Sequence, residues 1–354
     1  MHANAVYARF VSTTGTAHTT STTDTTTLNA EYRLLTDACG LIDRSERGKL
    51  ALIGPGAVEF LNGQVTNEIA ALRPGEGCYA AFLTHKGKML GDLRVLAVGE
   101  SGADAPLELL LDTERVALQA LFDMIRRFKV GFELELSKRT LESSLYSLIG
   151  PGADSILERA VAEEPSLPVT EHAHRLTRIA GRTVRLIRTA QPAGVDVLCD
   201  ATDGDAVRDA LIEAGAQPVS EAAGEILRVE YGRPRYGIDL DDTVIPQEAG
   251  LNERAVSFTK GCYLGQETVA RLHYRGKPNR HLRGLRLSAP AAAGAELRLG
   301  ERTVGHLGSA VVSPELGPIA LALVRREAAP GEVVSAGEGD VTAEIAELPF
   351  ARAR

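Results

Sequence analysis

A chain of 354 residues is long enough for two or three domains with a sizeable core. Hydrophobic residues are 44% and charged residues 24%, the proportions of an ordinary globular protein, and a net charge of -8 argues against a general nucleic-acid binder. No apolar run approaches the ~20 residues of a membrane span. The four cysteines, Cys39, Cys78, Cys199 and Cys262, are too scattered for a zinc cage, a protein-ligated iron–sulfur cluster or a disulfide framework, and fit free thiols in a reducing cytoplasm.

Residues 1–28 are rich in Thr and Ser, with one arginine, Arg9, and no apolar stretch. They are predicted to be disordered and to be neither a secretory signal nor an organelle presequence. Order is expected near Leu28, with a helix through NAEYRLLTDACGLID that stops at Gly40. Lys49–Ile53 reads as a strand, GPG as a turn and Ala57–Leu61 as the start of a helix. This turn lacks the Lys-Ser/Thr of a phosphate loop. The phrase returns: LIGPGAVEFL at 52–61 is echoed by LIGPGADSIL at 148–157, which suggests two similar βα units related by an internal pseudo-symmetry.

GCYAAFLTHKGKMLGDLRVLAV at 77–98 reads as a hairpin with strands Tyr79–Thr84 and Met89–Val98 and His85 in the exposed turn. Asp92 interrupts an apolar strand, so its carboxylate either faces water or lines a polar cavity. Leu107–Leu111 is the next strand, and Asp112 is placed to cap a helix whose stripe is Leu118, Leu121, Phe122, Ile125 and Phe128. Strands follow at Phe132–Leu136, Leu145–Ile149, Thr183–Ile187 and Val195–Cys199. Pro165, Pro168, His172 and His174 read as a solvated loop, since the two histidines have no acidic or thiol co-ligand nearby. A helix at Asp205–Ala214 stops at Gly215, and one capped by Ser220 carries Arg228 and Glu230 at its end. Strands and helices without a regular βαβ cadence indicate an α+β fold. From Leu282 short apolar runs punctuated by glycine predict a small β-barrel.

The densest polar chemistry lies in KGCYLGQETVARLHYR at 260–275. Lys260 precedes Cys262 by two residues, and a glycine turn leads into a helix carrying Gln266, Glu267 and Arg271. A thiol beside a cation and near a helix N-terminus is expected to be reactive, because both stabilise thiolate. Gln266 and Glu267 offer directional hydrogen bonds of the kind that read the edge of a heterocycle. Between 271 and 286 stand Arg271, Arg275, Lys277, Arg280, Arg283 and Arg286 and no acid. Three readings fit this run: a solvated face, an anion site for the carboxylates of a ligand tail, or a nucleic-acid patch with Tyr274 as its lone aromatic partner.

KGCYLGQE, with R-x-x-Y-R-G following, resembles the signature of YgfZ-type folate-binding proteins, which act in assembly or repair of iron–sulfur clusters. These belong to the superfamily of the glycine-cleavage T protein, a tetrahydrofolate-dependent aminomethyltransferase. The similarity extends over most of residues 30–354, including GEGCYAAFLTHKGKMLGDLRVL, LRVEYGRPRYGIDL, IPQEAGL and VGHLGSAVVSPELGPIALALV. The resemblance implies an aminomethyltransferase-like ring of two α+β domains, interleaved over residues 29–280, with a C-terminal barrel over 281–354. It implies tetrahydrofolate or a one-carbon derivative in a central channel, and iron–sulfur enzymes or assembly factors as partners. The implied folate-binding residues are Tyr79, Asp92, Arg228, Glu230, Tyr263, Gln266 and Glu267, with Lys260 and Cys262 as the candidate functional pair. Arg271, Arg275 and Lys277 are the candidate tail site. Two departures from the T-protein pattern stand out. Its Asp-Asp pair is here Gly91-Asp92, and its G-E-D-G glutamate has no counterpart around Pro192-Ala193-Gly194-Val195. Both favour the YgfZ-type reading over a folate-dependent aminomethyltransferase or demethylase. A non-catalytic docking scaffold is the third alternative.

Overall fold

A computed structural model describes residues 25–99, 108–161 and 169–350. The polar tail expected to be disordered lies outside these residues up to position 24, as does the loop marked by Pro165 and Pro168. Residues 25–28 are helical, so order begins earlier than the sequence suggests.

The chain opens with helix α1 (Thr25–Asp37), strands β1 (Gly40–Asp43) and β2 (Gly48–Ile53) and helix α2 (Ala57–Asn62). The hairpin β3 (Gly77–Leu83) and β4 (Met89–Val98) follows, then β5 (Glu108–Thr113), α3 (Leu118–Phe128) and β6 (Glu135–Lys138). A second series comprises β7 (Ser143–Ile149), α4 (Ala153–Ala160), β8 (His174–Ile179), β9 (Arg182–Ala190), β10 (Ala193–Asp200), α5 (Gly204–Glu213) and β11 (Gln217–Pro218). Helices α6 (Glu221–Glu230), α7 (Asn252–Ala255) and α8 (Gln266–Arg275) lead to the barrel strands β12 (Arg280–Leu287), β13 (Glu296–Leu299), β14 (Arg302–Ser313), β15 (Gly317–Arg325), β16 (Val333–Ala336) and β17 (Thr342–Ala346).

The repeated LIGPGA phrase marks two matched modules. One sheet runs β3-β4-β5-β2-β6, and the other runs β8-β9-β10-β7-β1-β11. In each, the strand bearing the phrase (β2 or β7) pairs antiparallel with the fourth strand of the module (β5 or β10) and with a short strand on its other side (β6 or β1). The turn glycines adopt the same left-handed geometry, φ +123° at Gly54 and +124° at Gly150, which L residues with a Cβ avoid. The strand β1 is borrowed: it precedes the first module in sequence but extends the second module's sheet. It begins at Gly40, the residue expected to stop the first helix, which ends three residues earlier at Asp37.

Each module has its own apolar core, centred on Leu52, Phe60, Phe82 and Leu121 in the first and on Leu148, Leu157, Val197 and Leu211 in the second. The closed barrel β12-β15-β14-β13-β16-β17 has a third. In α3, Leu121, Met124 and Ile125 are buried, whereas Phe128 at the end of the expected stripe is exposed. The strand expected over Phe132–Leu136 is displaced to β6. Asp112 caps nothing: it is a buried member of β5, and α3 begins without a side-chain cap. His174 begins β8 and is 4% exposed, which corrects the solvated-loop reading.

Candidate functional site

Charged residues that interrupt apolar strands converge between the two sheets. Tyr79 of β3, Asp92 and Arg94 of β4, Asp112 of β5 and Asp196 of β10 line a cavity of about 210 Å³. Arg44, Arg47, His172, Gln191, Arg233, Arg235 and Arg254 complete its polar wall from loops and from the end of α7. That volume is below the ~300 Å³ at the lower end of whole small-molecule sites. That is room for a head group but not for a whole elongated ligand.

The wall is a closed circuit of ion pairs and hydrogen bonds. Arg47 meets Asp112 at 2.7 Å, and Asp112 meets Arg94 at 2.6 Å. Arg94 reaches across to Asp196 at 2.6 Å, and Asp196 accepts from the Ser147 hydroxyl at 2.6 Å. Arg44 donates to Ser147 at 3.4 Å and pairs with Glu221 at 3.0 Å. Glu221 holds Arg235 at 2.6 Å, Arg235 lies 3.8 Å from Glu114, and Glu114 closes the circuit on Arg47. Arg94 and Asp196 therefore join the first sheet to the second through a buried pair, while burial alone would penalise each charge.

Asp92 sits outside this circuit. Its carboxylate is 6% exposed and accepts from the Tyr79 hydroxyl at 2.5 Å. Burial pushes its carboxyl up to about 6, against the opposing pull of the Tyr79 hydrogen bond. Burial and the Asp92 charge push the Tyr79 phenol well above its ordinary value, so Tyr79 stays a donor. A carboxyl poised near neutrality can hold or release a proton at working pH.

The donors around it are incompletely used. Nε of Arg94, Arg233, Arg235 and Arg254 and both ring nitrogens of His172 are buried without a hydrogen-bond partner, and all five residues line the cavity. His172 is held at φ +67°, and burial followed by the Arg94 charge lowers its pKa to about 4, so it is neutral. A larger cleft of about 620 Å³ runs between the barrel and residues 238–248. No buried unpaired donor or acceptor among the described residues faces it, and its Arg280 is paired with Glu248 at 2.9 Å. The smaller cavity is the better candidate.

Comparison with known proteins decides the lineage. The GCVT N-terminal domain matches residues 3–260, and the glycine cleavage T-protein C-terminal barrel domain matches residues 280–351. The chain belongs to the glycine cleavage T-protein family. An aminomethyltransferase from Rubrobacter xylanophilus is 29% identical over 92% of this chain and 86% of its own length. A chloroplastic putative transferase from Arabidopsis thaliana is 27% identical over 88% and 71%. The crystal structure of glycine cleavage system aminomethyltransferase T from Bartonella henselae superposes with a TM-score of 0.81 at 24% identity, over 92% of this chain and 89% of that one. This establishes the aminomethyltransferase-like fold.

Within this T-protein-family frame, only Tyr79 and Asp92 of the candidate site residues read from the sequence line the cavity; Asp112 and His172, read there as a helix cap and a solvated loop, line it as well. Arg228 and Glu230 lie elsewhere. Arg228 pairs with Glu225 and with Asp239 at 2.9 Å and also donates to the Ser309 hydroxyl, which fastens α6 to β14. Glu230 accepts from Tyr32 at 2.9 Å and Ser313 at 2.6 Å, joining α1, α6 and the barrel. Tyr263 is buried with Leu83, Met89 and Val269. Gln266 starts α8 and accepts from the Tyr263 N–H at 3.3 Å, and Glu267 beside it is exposed. Arg271, Arg275 and Lys277 are exposed on and just after α8, outside the cavity lining.

The KGC segment differs most from expectation. Cys262 is exposed, as a functional thiol requires, but the Lys260 ammonium is committed elsewhere. It donates to the carbonyls of Asn62 at 2.6 Å, Val65 at 3.0 Å and Asn67 at 2.6 Å. Burial lowers its pKa to about 8, and the thiol its charge acts on is Cys78. Lys260 is thus a clamp on the 62–67 loop. Asn67 passes the link on, because its side-chain amide donates to the carbonyls of Tyr79 at 2.8 Å and Arg254 at 3.2 Å. Gly265, at φ +86°, lets α8 start against the hairpin turn; a Cβ there would meet the Thr84 carbonyl at 2.5 Å. The motif therefore braces the cavity from behind. Arg94, Asp112 and Asp196 were legible by the argument that singled out Asp92, a charge in an apolar strand. Arg254 and Asn67 carried no such signal.

Proposed function

We propose that this T-protein-family chain binds tetrahydrofolate, or a one-carbon derivative of it, in the cavity beside Asp92, and that it supports assembly or repair of iron–sulfur enzymes. The observation that carries the folate part is the Tyr79–Asp92 pair facing a wall of buried nitrogen atoms that have no hydrogen-bond partner. A carboxylate and fixed donors at that spacing suit the alternating donor and acceptor edge of a reduced pterin. When bound, the folate supplies a carrier for a one-carbon unit. Asp92 orients it and holds or releases a proton at its carboxylate, Tyr79 keeps that carboxylate in place, and the ion-pair circuit fixes the wall.

The iron–sulfur part rests on the KGCYLGQE signature and on the exposed Cys262 thiol. Its partners would be iron–sulfur enzymes or their assembly factors. Cytoplasmic residence is part of the same reading, supported by four unpaired cysteines. No described helix is long and apolar enough to cross a membrane. The test is a deletion strain complemented with wild type or C262A. Restored iron–sulfur enzyme activity with wild type and failure with C262A is expected; equal rescue by both removes the thiol from the account.

The second reading, a folate-dependent aminomethyltransferase, is favoured by the near-neutral Asp92 and by the names of the relatives. Against it stands Gly91 in place of an acid. A side chain there would point at Phe82 and Ala117, with its Cβ 2.7 Å from both. Release of methylene-tetrahydrofolate from an aminomethylated carrier protein would establish this reading.

A further inference from the structure

We infer that Arg233, steadied by Gln191, is the point on the cavity rim that receives the carboxylate tail of the bound ligand. The inference rests on the folate reading above and gives that ligand a direction. It follows from the state of the cavity's cations. Arg44 is neutralised by Glu221 at 3.0 Å and Arg47 by Asp112 at 2.7 Å. Arg94 is held by Asp112 and Asp196, each at 2.6 Å. Arg235 has Glu221 at 2.6 Å, and Arg254 has Glu171 at 2.9 Å.

Among the described residues, Arg233 alone of the six lining arginines has no carboxylate partner. Its guanidinium donates at 2.5 Å to the neutral amide oxygen of Gln191, and its Nε is buried and unpaired. An amide oxygen fixes the orientation of the guanidinium without cancelling its charge. Gln191 is exposed and Arg233 half-buried, so this contact stands where the cavity meets solvent. The Tyr79–Asp92 pair lies deeper. A ligand with its heterocycle against Asp92 has to leave past this rim, because the cavity has room only for a head group. A guanidinium fork meets a carboxylate bidentately, which Lys277 cannot do. Arg271, Arg275 and Lys277 stand apart from the cavity lining and have no part in this contact.

The test is calorimetric titration of the full-length chain with tetrahydrofolate and with tetrahydropterin, which lacks the p-aminobenzoyl-glutamate tail. R233Q is expected to weaken tetrahydrofolate about tenfold and to leave tetrahydropterin unchanged, with an unaltered melting temperature. Q191A frees the guanidinium but keeps its charge, so it gives a smaller loss with the same selectivity. It also serves as the readout should R233Q not fold. The triple variant R271Q/R275Q/K277Q is expected to bind both ligands as wild type does. Equal binding of both ligands by R233Q and wild type overturns the assignment while leaving the folate reading standing. So does an equal loss of both ligands, or tail-selective loss in the triple variant. Failure of wild type to bind either ligand ends the folate reading and this inference together.

Discussion

Replacing Arg94 with Met tests whether the ion-pair circuit holds the two sheets together. The Arg94 side chain is 9% exposed, and its partners Asp112 and Asp196 are 11% and 9% exposed. Methionine keeps most of the apolar stem but removes both charged contacts. The two carboxylates fare differently. Asp112 retains Arg47 at 2.7 Å, whereas Asp196 retains only the Ser147 hydroxyl at 2.6 Å. The stranded charge is therefore Asp196, and removing one partner of a buried pair costs about 3–5 kcal/mol. The double variant R94M/D196N replaces that charge with an amide that can still accept from Ser147, so it is expected to recover more than half of the loss. Urea denaturation, extrapolated linearly, reads both. The reasoning is refuted if R94M lies within about 1 kcal/mol of wild type, or if the double variant is no more stable than R94M.

Three further outcomes follow from single side chains. K260M leaves three carbonyls of the 62–67 loop without their donor. A loss of about 2 kcal/mol is expected, smaller than three charged hydrogen bonds in sum because the wild-type ammonium is itself partly desolvated. Faster amide exchange in that loop would accompany it, and unchanged melting and exchange would contradict the clamp. For Asp92 the folded-state pKa lies above its ordinary 3.8, at about 6. Folded protein thus binds the extra proton between those values, and stability falls as pH rises through that window. D92N abolishes that dependence, so its stability relative to wild type should increase from pH 4 to pH 6 by about 2 kcal/mol, read from denaturation midpoints at each pH. A pH-independent difference would mean that Asp92 is not desolvated as described. G91D restores the acid of the T-protein pattern at φ +157° against Phe82 and Ala117. It should destabilise by at least about 2 kcal/mol without conferring aminomethyl transfer; a variant that melts like wild type would show that the strand has room for it.

Much of the frame was legible from sequence because it depends on local rules. The LIGPGA repeat foretold two matched modules, since a strand, a left-handed glycine and a helix are all short-range features. Alternating short strands foretold the barrel, and Gly265 foretold the start of α8. The cavity was legible only in part. Its cations come from segments as distant as Arg44 and Arg254, and only the pairing of two sheets brings them together. Asp112 has the residue type and position of a helix cap, but two arginines brought to it by tertiary packing hold it in β5. Lys260 reads in sequence as the neighbour of Cys262, yet its four-carbon stem reaches three carbonyls almost two hundred positions away in the chain. Arg228 and Glu230 are polar residues on a helix near the site in sequence, and packing turns both toward the barrel.

The most direct measurement is titration calorimetry of wild type and D92N with tetrahydrofolate at pH 7. The account predicts saturable micromolar-range binding by wild type, an order-of-magnitude expectation for a small-molecule site, and at least about tenfold weaker binding by D92N. No heat with any reduced folate, or equal affinity in the two proteins, would contradict it.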